Sequence, residues 1–207
     1  MEIVAKQGYK YILIFGLLFL LSVFFDTLWT LFFVIFIITL FIFRNPKREK
    51  GSSDEYAILS PIDGRVKSIR RISYLGDDSI EIIISKSVFG SGSLKAPCDI
   101  KLIELKQRHG LFLCSAIKSS NSLNERALYT CKHGNLKISI RTIVGALSRS
   151  LSVEKFEELQ SGNKFGFLTD GLVVLILPIS ARISAAIGDR VKATSSVIGF
   201  FNHEDRK

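Results

Sequence analysis

Ser60-Pro61-Ile62-Asp63-Gly64-Arg65-Val66 opens the region that decides the fold. Pro61 presets φ for a turn and the Asp63-Gly64 pair is favoured in one, so the chain reverses here before entering Arg65–Ile72, a run with strand-like residue preferences. The same pattern repeats outward. Ala57–Leu59 precedes the turn, and Ser79–Ser85, Ile100–Leu105, Gly110–Ser115, Ala127–Lys132, Leu136–Ile143 and Leu172–Leu177 follow it, short apolar or β-branched runs divided by Gly, Asn, Asp and Ser turns. Near the C-terminal end, Ile187-Gly188-Asp189-Arg190-Val191-Lys192-Ala193 reads as a hairpin turn at Gly188-Asp189 leading to a closing strand at Val197-Ile198-Gly199. Only Ser152–Gln160 carries helix signals, with Ser152 as a cap and Glu154, Glu157 and Glu158 near a helix N-terminus. The expected fold is mainly β, a small barrel-sandwich-like domain whose strands pair across the chain.

Upstream of this domain the character changes. From Tyr11 to Phe43 the chain is apolar for 33 positions except at Asp26, Thr27 and a few small polar residues. As one helix this run would extend about 50 Å, against a hydrocarbon core of about 30 Å. A break at Asp26-Thr27 yields two arms, Tyr11–Phe25 and Leu28–Phe43, with Lys6 and Lys10 before them and Arg44, Lys47, Arg48 and Lys50 after. Cations at both outer ends place both ends in the cytoplasm. A transmembrane helical hairpin also moves Asp26 away from the bilayer centre, where a carboxylate costs about 2.5–3.5 kcal/mol. A single tilted helix is the alternative. The run is too long for the core of a cleaved signal peptide, and no small-residue cleavage site closes it. The expected organisation is an anchor over residues 1–43, a basic and polar linker over 44–56 and a β domain over 57–207.

Composition narrows the function. Lys and Arg outnumber Asp and Glu by 28 to 19, and residues 44–207 keep 26 basic against 17 acidic side chains, so the surplus belongs to the β domain. A basic domain tethered to a bilayer meets anionic phospholipid at high local concentration, whereas no nucleic-acid-binding module is legible. The expected partner is therefore membrane phospholipid and not nucleic acid. A second copy of the chain, or another protein of phospholipid synthesis, is the further partner expected. Cys98, Cys114 and Cys131 form no Cys-x-x-Cys pair, and His109, His133 and His203 show no ligand spacing, so no metal is expected. An odd cysteine count without a disulfide framework places the β domain in a reducing compartment, on the cytoplasmic side of a bacterial-type cell membrane.

Six short blocks then carry a resemblance. Phe43-Arg44-Asn45-Pro46, Ser60-Pro61-Ile62-Asp63-Gly64, Ser87-Val88-Phe89 with Lys95-Ala96-Pro97, Asn124-Glu125-Arg126, Phe165-Gly166-Phe167-Leu168, and Gly171 with Leu177-Pro178 stand in the order and near the spacing of the short phosphatidylserine decarboxylase proenzymes. The chain resembles that family over nearly its whole length. The resemblance implies three residues: a serine near the C-terminus that cleaves its own chain and becomes an N-terminal pyruvoyl group, an aspartate, and a histidine that moves protons. The pyruvoyl ketone would form a Schiff base with the substrate amine and act as electron sink for loss of the carboxylate.

Only one of the three is matched. Asp63 occupies the aspartate position. The histidine position falls on Gly92, within Gly90-Ser91-Gly92-Ser93-Leu94-Lys95. Gly171 is followed by Leu172, and the interval to Leu177-Pro178 is one residue shorter than the family pattern, as though the serine were deleted. Thr169 is a poor substitute, because cleavage two residues away moves the carbonyl by about 7 Å where catalysis tolerates about 1 Å. The Gly-Ser-Gly-Ser run reads as a flexible turn in place of a phosphate cradle, and His109 and His133 as surface or hairpin histidines. Asp63 keeps two readings: an Asp-Gly turn residue bonding nearby amides, or a retained catalytic carboxylate.

Three functions follow. The first is a phosphatidylserine decarboxylase-related membrane protein of phospholipid metabolism, catalytically degenerate and without the pyruvoyl cofactor. The second is an active decarboxylase with a divergent nucleophile, and the third a membrane-anchored β module that binds lipid or protein.

Overall fold

The computed structural model describes residues 4–26, 28–46, 48–86, 90–114, 120–148 and 151–202. Thr27, Lys47, Ser87-Val88-Phe89, Ser115 and His203 of the readings above lie outside the described residues.

Two apolar helices begin the chain, α1 (Tyr9–Phe24) and α2 (Trp29–Ile42). They run antiparallel side by side: Tyr11 stacks on Phe43 at 5.5 Å, Phe19 on Phe36 at 6.4 Å, and Val4 bridges Arg44. The break falls where the polar residues stand, with Asp26 and Leu28 both at positive φ, 48° and 52°. Lys6–Phe24 is long and apolar enough to cross a membrane, and Trp29–Ile42 is a shorter apolar helix. Most of their large side chains are exposed among the described residues.

The rest is mainly β. In chain order the strands are β1 (Ala57–Leu59), β2 (Gly64–Tyr74), β3 (Asp77–Lys86), β4 (Ser93–Lys95), β5 (Ile100–Arg108), β6 (Arg126–His133), β7 (Leu136–Val144), β8 (Ser152–Val153), β9 (Glu158–Leu159), β10 (Lys164–Phe167), β11 (Gly171–Pro178), β12 (Arg182–Ile183), β13 (Arg190–Val191) and β14 (Val197–Phe200). The large sheet has the order β13-β2-β3-β11-β7-β6-β5-β9, and two smaller sheets have the orders β4-β10-β8 and β1-β14-β12. Neighbouring strands pair antiparallel throughout.

Strand β11 lies centrally in the large sheet, between β3 and β7. Its sequence is a continuous apolar run with no alternation, which is expected of a strand covered on both faces. Val173, Leu175 and Leu177 enter the main core with Ile82, Ile84, Ile138 and Ile140, while Leu172, Val174 and Ile176 pack on the opposite face with Ile143 and Ile83. Each such side chain contributes about 1.5–3 kcal/mol by leaving water.

Three expectations need correction. Ser152–Gln160 is not helical but supplies β8 and β9, because Phe156 turns inward to stack on Tyr129 and packing against the core overrides a weak helical preference. Gly110–Ser115 forms no strand over its described residues and makes only one bridge, Leu111 to Asn124. The turn at Gly188-Asp189 is present, with Asp189 N–H donating to Ala186 O, but it does not close a hairpin. Strand β13 pairs with β2 in the large sheet, and β14 pairs with β1 and β12 in another.

Candidate functional site

One end of the large sheet gathers most of the resemblance blocks that the structure describes, whereas Leu177-Pro178 lies at the opposite end of β11 beside Ser79 and Ile80. Gly64 lies opposite Lys86, Leu172 opposite Ser85, and Gly171 opposite Val144, so the start of β2, the end of β3, the end of β7 and the start of β11 share one edge. The two apolar helices meet the domain at this edge. Phe43 stacks on Phe167 at 5.6 Å, Ser93 donates from its hydroxyl to Asn45 Oδ1 at 2.9 Å, and Gln7 donates to Ser152 Oγ at 2.7 Å.

Asp63 is buried here and held from three directions. The Arg48 guanidinium grips both carboxylate oxygens, with Nη2 at 2.7 Å from Oδ2. The amide of Ser91 donates to Oδ2 and that of Ala193 to Oδ1, both at 2.8 Å. Each oxygen thus accepts two hydrogen bonds, which fills the roughly four acceptor sites of a carboxylate. Burial pushes the Asp63 carboxyl up, but Arg48 and the two amides outweigh it and hold it below the usual aspartate range. A carboxylate in this state ties the linker, the loop before β4 and the segment after β13 together, and it has no lone pair left for an imidazole.

Gly92 lies against β10. A Cβ on Gly92 would stand 2.6 Å from the Phe167 ring and 2.7 Å from Leu168 O, so the space that a side chain at position 92 needs is taken by Phe167. The flexible turn expected at Gly90–Ser93 is corrected by the same packing: Ser91 and Ser93 are buried under Arg44 and Asn45, and Ser93 bonds Asn45. At the cleavage position Gly171 has φ 143° and a Cβ there would be 2.0 Å from Ile143 O, which leaves room for glycine alone. Leu172 is 2% exposed in the apolar cluster of the opposite sheet face. Thr169 lines a cavity at the anchor, and Asp170 next to it caps the amide of Leu147 through its carboxylate. At the positions that the resemblance singles out, the structure thus places an Asp63 carboxylate with its acceptor sites filled, Gly92 packed against Phe167, and Gly171 followed by a buried Leu172.

Lys86 is a member of this site that the sequence reading missed. It is buried, donates from Nζ to Gly90 O at 3.0 Å, and burial lowers its pKa to about 8 against the opposing pull of Asp63 and Asp170. Its place at the end of an apolar strand was the available signal. His109 is exposed with Nδ1 3.3 Å from Glu125, and His133 is buried at the β6–β7 hairpin with Nδ1 2.7 Å from Asp99 O and its ring stacked on Phe201. Neither reaches Asp63, and no group of three or more His, Cys, Asp or Glu among the described residues could hold a metal.

Between the apolar helices and the β domain lies a cavity of about 290 Å³, walled by Tyr11, Phe15, Ile42, Phe43 and Phe167 with Gln7 and Ser152 at its polar side. Lys164 borders it, 3.4 Å from Gln7 Oε1. Lys164 sits directly opposite Lys95 across β10 and β4. Burial first, then the charges of Lys164 and Arg48, lower the pKa of Lys95.

The class that the fold defines is a mainly antiparallel β protein with an apolar N-terminal helix, carrying a buried Asp63 in Ser-Pro-x-Asp-Gly. The match to known proteins is specific. The phosphatidylserine decarboxylase family model covers residues 35–199, and the chain belongs to that family. It is 29% identical to the phosphatidylserine decarboxylase proenzyme of Nitrosomonas europaea, with 97% of this chain and 96% of that one aligned. It is 31% identical to the proenzyme of Aromatoleum aromaticum over 82% of each chain, and 30% identical to that of Neisseria meningitidis serogroup C over 82% of this chain. The chain spans 66% of the length of the Neisseria protein. No solved structure matches it.

Proposed function

We propose that the chain is a catalytically degenerate phosphatidylserine decarboxylase homologue, held in a cell membrane by α1 and α2 with its β domain on the cytoplasmic side, that binds anionic phospholipid without cleaving itself. The observation that carries this reading is the Phe167 ring in the space that a side chain at position 92 would need. Leu172 buried beside Gly171 and a fully engaged Asp63 support it from two other sides. Fold similarity alone does not bring a reaction with it.

The lipid would lie where the anchor meets the domain. Its chains would enter the apolar cavity of Tyr11, Phe15 and Phe43, and its phosphate would sit between Lys95 and Lys164. Like charges directly opposite each other in a ladder repel, and an anion between them turns that repulsion into binding.

The decisive experiment is the denatured intact mass of the purified full chain. One species at 23.2 kDa is the expected result. Two chains meeting near Gly171, the smaller blocked at its N-terminus, would overturn the reading and restore an active decarboxylase.

A further inference from the structure

Gly110–Ser115 was expected as a strand, and its described residues, 110–114, form instead a loop pinned against Leu123-Asn124-Glu125 at the end of a short helical turn, Ser120–Leu123, with apolar side chains exposed. Asn124 is buried and holds it: its Oδ1 accepts from Leu113 N–H at 2.9 Å, and its Nδ2 donates to Leu113 O at 2.8 Å and to Val144 O at 2.6 Å. The Leu111 amide donates to Leu123 O and the Glu125 amide to Leu111 O. Gly110 passes so close that a Cβ would lie 2.3 Å from Leu123 O. Yet Leu111 is 54% exposed, Phe112 41% and Leu123 49%. A loop fixed by this many bonds to present apolar side chains to solvent is a surface awaiting a partner.

Two further observations say which partner. First, the loop lies at the anchor edge of the sheet. Arg108 ends β5 opposite Arg126, Val144 N–H donates to Glu125 O, and Val144 lies opposite Gly171, so the loop is about three strand spacings, or about 14 Å, from β11 along that edge. Leu147, 64% exposed on the same edge, already lines the cavity shared with Tyr11 and Phe15 of α1. Second, the loop is flanked by cations. Arg108 and Arg126 are cross-strand partners, and Arg141 lies diagonal to Arg126 on the same sheet face. Partial burial and then the charges of Arg108 and Arg141 hold Arg126 below the ordinary guanidinium value.

We infer that Leu111, Phe112, Leu123 and Leu147 form a second bilayer contact, dipping into the interface beside the anchor while Arg108, Arg126 and Arg141 engage anionic headgroups. This contact would add a second point of support for the β domain on the membrane, beside the helices already packed against Phe167 and Ser152. It rests on the bilayer anchorage proposed above.

Cys114 makes the test direct, because it is exposed at the end of this loop whereas Cys98 and Cys131 are buried with burial pushing their thiols up, Cys131 to about 12. The full chain would be labelled at Cys114 with an environment-sensitive fluorophore and reconstituted into phosphatidylcholine vesicles containing phosphatidylglycerol and a nitroxide lipid labelled near the headgroup. The expected result is a blue shift and loss of most of the probe intensity to the nitroxide, both diminished in the Leu111→Ser/Phe112→Ser double variant. Leaving out phosphatidylglycerol should weaken the quenching, and equal quenching without it overturns the role of the arginines. Trp29, the single tryptophan and a residue of α2, reports the anchor in the same sample. A water-like probe beside a quenched Trp29 overturns the second contact and leaves the anchorage standing. A water-like probe beside an unquenched Trp29 overturns both.

Discussion

Asp63 and Gly92 are joined through one amide, that of Ser91, yet they represent opposite fates for a catalytic corner. Asp63 keeps the residue type of the family and has become a clasp, with every acceptor site taken by Arg48, Ser91 and Ala193. Gly92, where the resemblance expects a histidine, has the space beside it filled by Phe167. The difference teaches that retention of a residue and retention of its chemistry are separate matters. A carboxylate serves a fold as well as a reaction, whereas an imidazole position emptied of its ring leaves a void that packing will close.

The clasp should be the more costly half to break. Arg48→Ala leaves Asp63 buried without its counter-charge and should lower stability by about 3–5 kcal/mol. Chemical denaturation reads this, and a loss below 1 kcal/mol would mean that Asp63 is not structural. Because Asp63 is held below its ordinary pKa in the fold, the stabilisation is present above the unfolded value near 4 and is lost as pH falls through the folded value. The Arg48→Ala deficit should therefore shrink in acid.

Lys86 sharpens the comparison, since it is a buried charge on the same edge that does not belong to the clasp. Its folded pKa of about 8 lies below the ordinary 10.5, so between those values the unfolded chain binds more protons and stability rises with pH. Lys86→Met removes that contribution, on the order of 3 kcal/mol at neutral pH. The stability of this variant relative to the parent should be greatest near pH 7 and decline steadily from pH 8 to 10.5. Comparing the two chains cancels the opposite slope that the buried Cys98, Cys131 and Tyr129 impose at alkaline pH. A difference that does not change with pH would show that the Lys86 amine is solvated.

The smallest effect should come at the filled corner. Gly92→Ala forces Phe167 aside and should cost about 1–3 kcal/mol, the usual range for overpacking. The reference variant Phe167→Ala should by itself cost about 3–5 kcal/mol, but once it has made the space Gly92→Ala should add less to the loss than it costs in the parent chain. Additive losses in the double variant would mean that Phe167 does not fill the position.

How much of this was legible beforehand depended on range. Ala57–Leu59, Arg65–Ile72 and Leu136–Ile143 were readable as strands because β-branched runs between turn residues state their preference locally. The helix break at Asp26 was readable because a carboxylate inside an apolar run has few places to go. The strand β8 in place of a helix, the pinned loop at Leu111 and the separate partners of β13 and β14 were not, since each depends on a contact with a residue far along the chain. The same holds for the site. Asp63 could be named from its tetrapeptide, but its saturation requires Arg48, Ser91 and Ala193, spread over 146 positions of the chain. Lys86 was passed over because burial is invisible until strands β2 and β11 stand on either side of β3.

Residue order and type were enough to establish the β character, the apolar N-terminal segment and the kinship, since these are properties of local pattern and composition. Tertiary structure alone decided that the gap at Gly92 is closed by Phe167, that Asp63 has no free lone pair and that the loop at Leu111 faces the anchor side. Those facts depend on which distant atoms come within about 3 Å of one another, and at that range excluded volume and hydrogen-bond geometry govern.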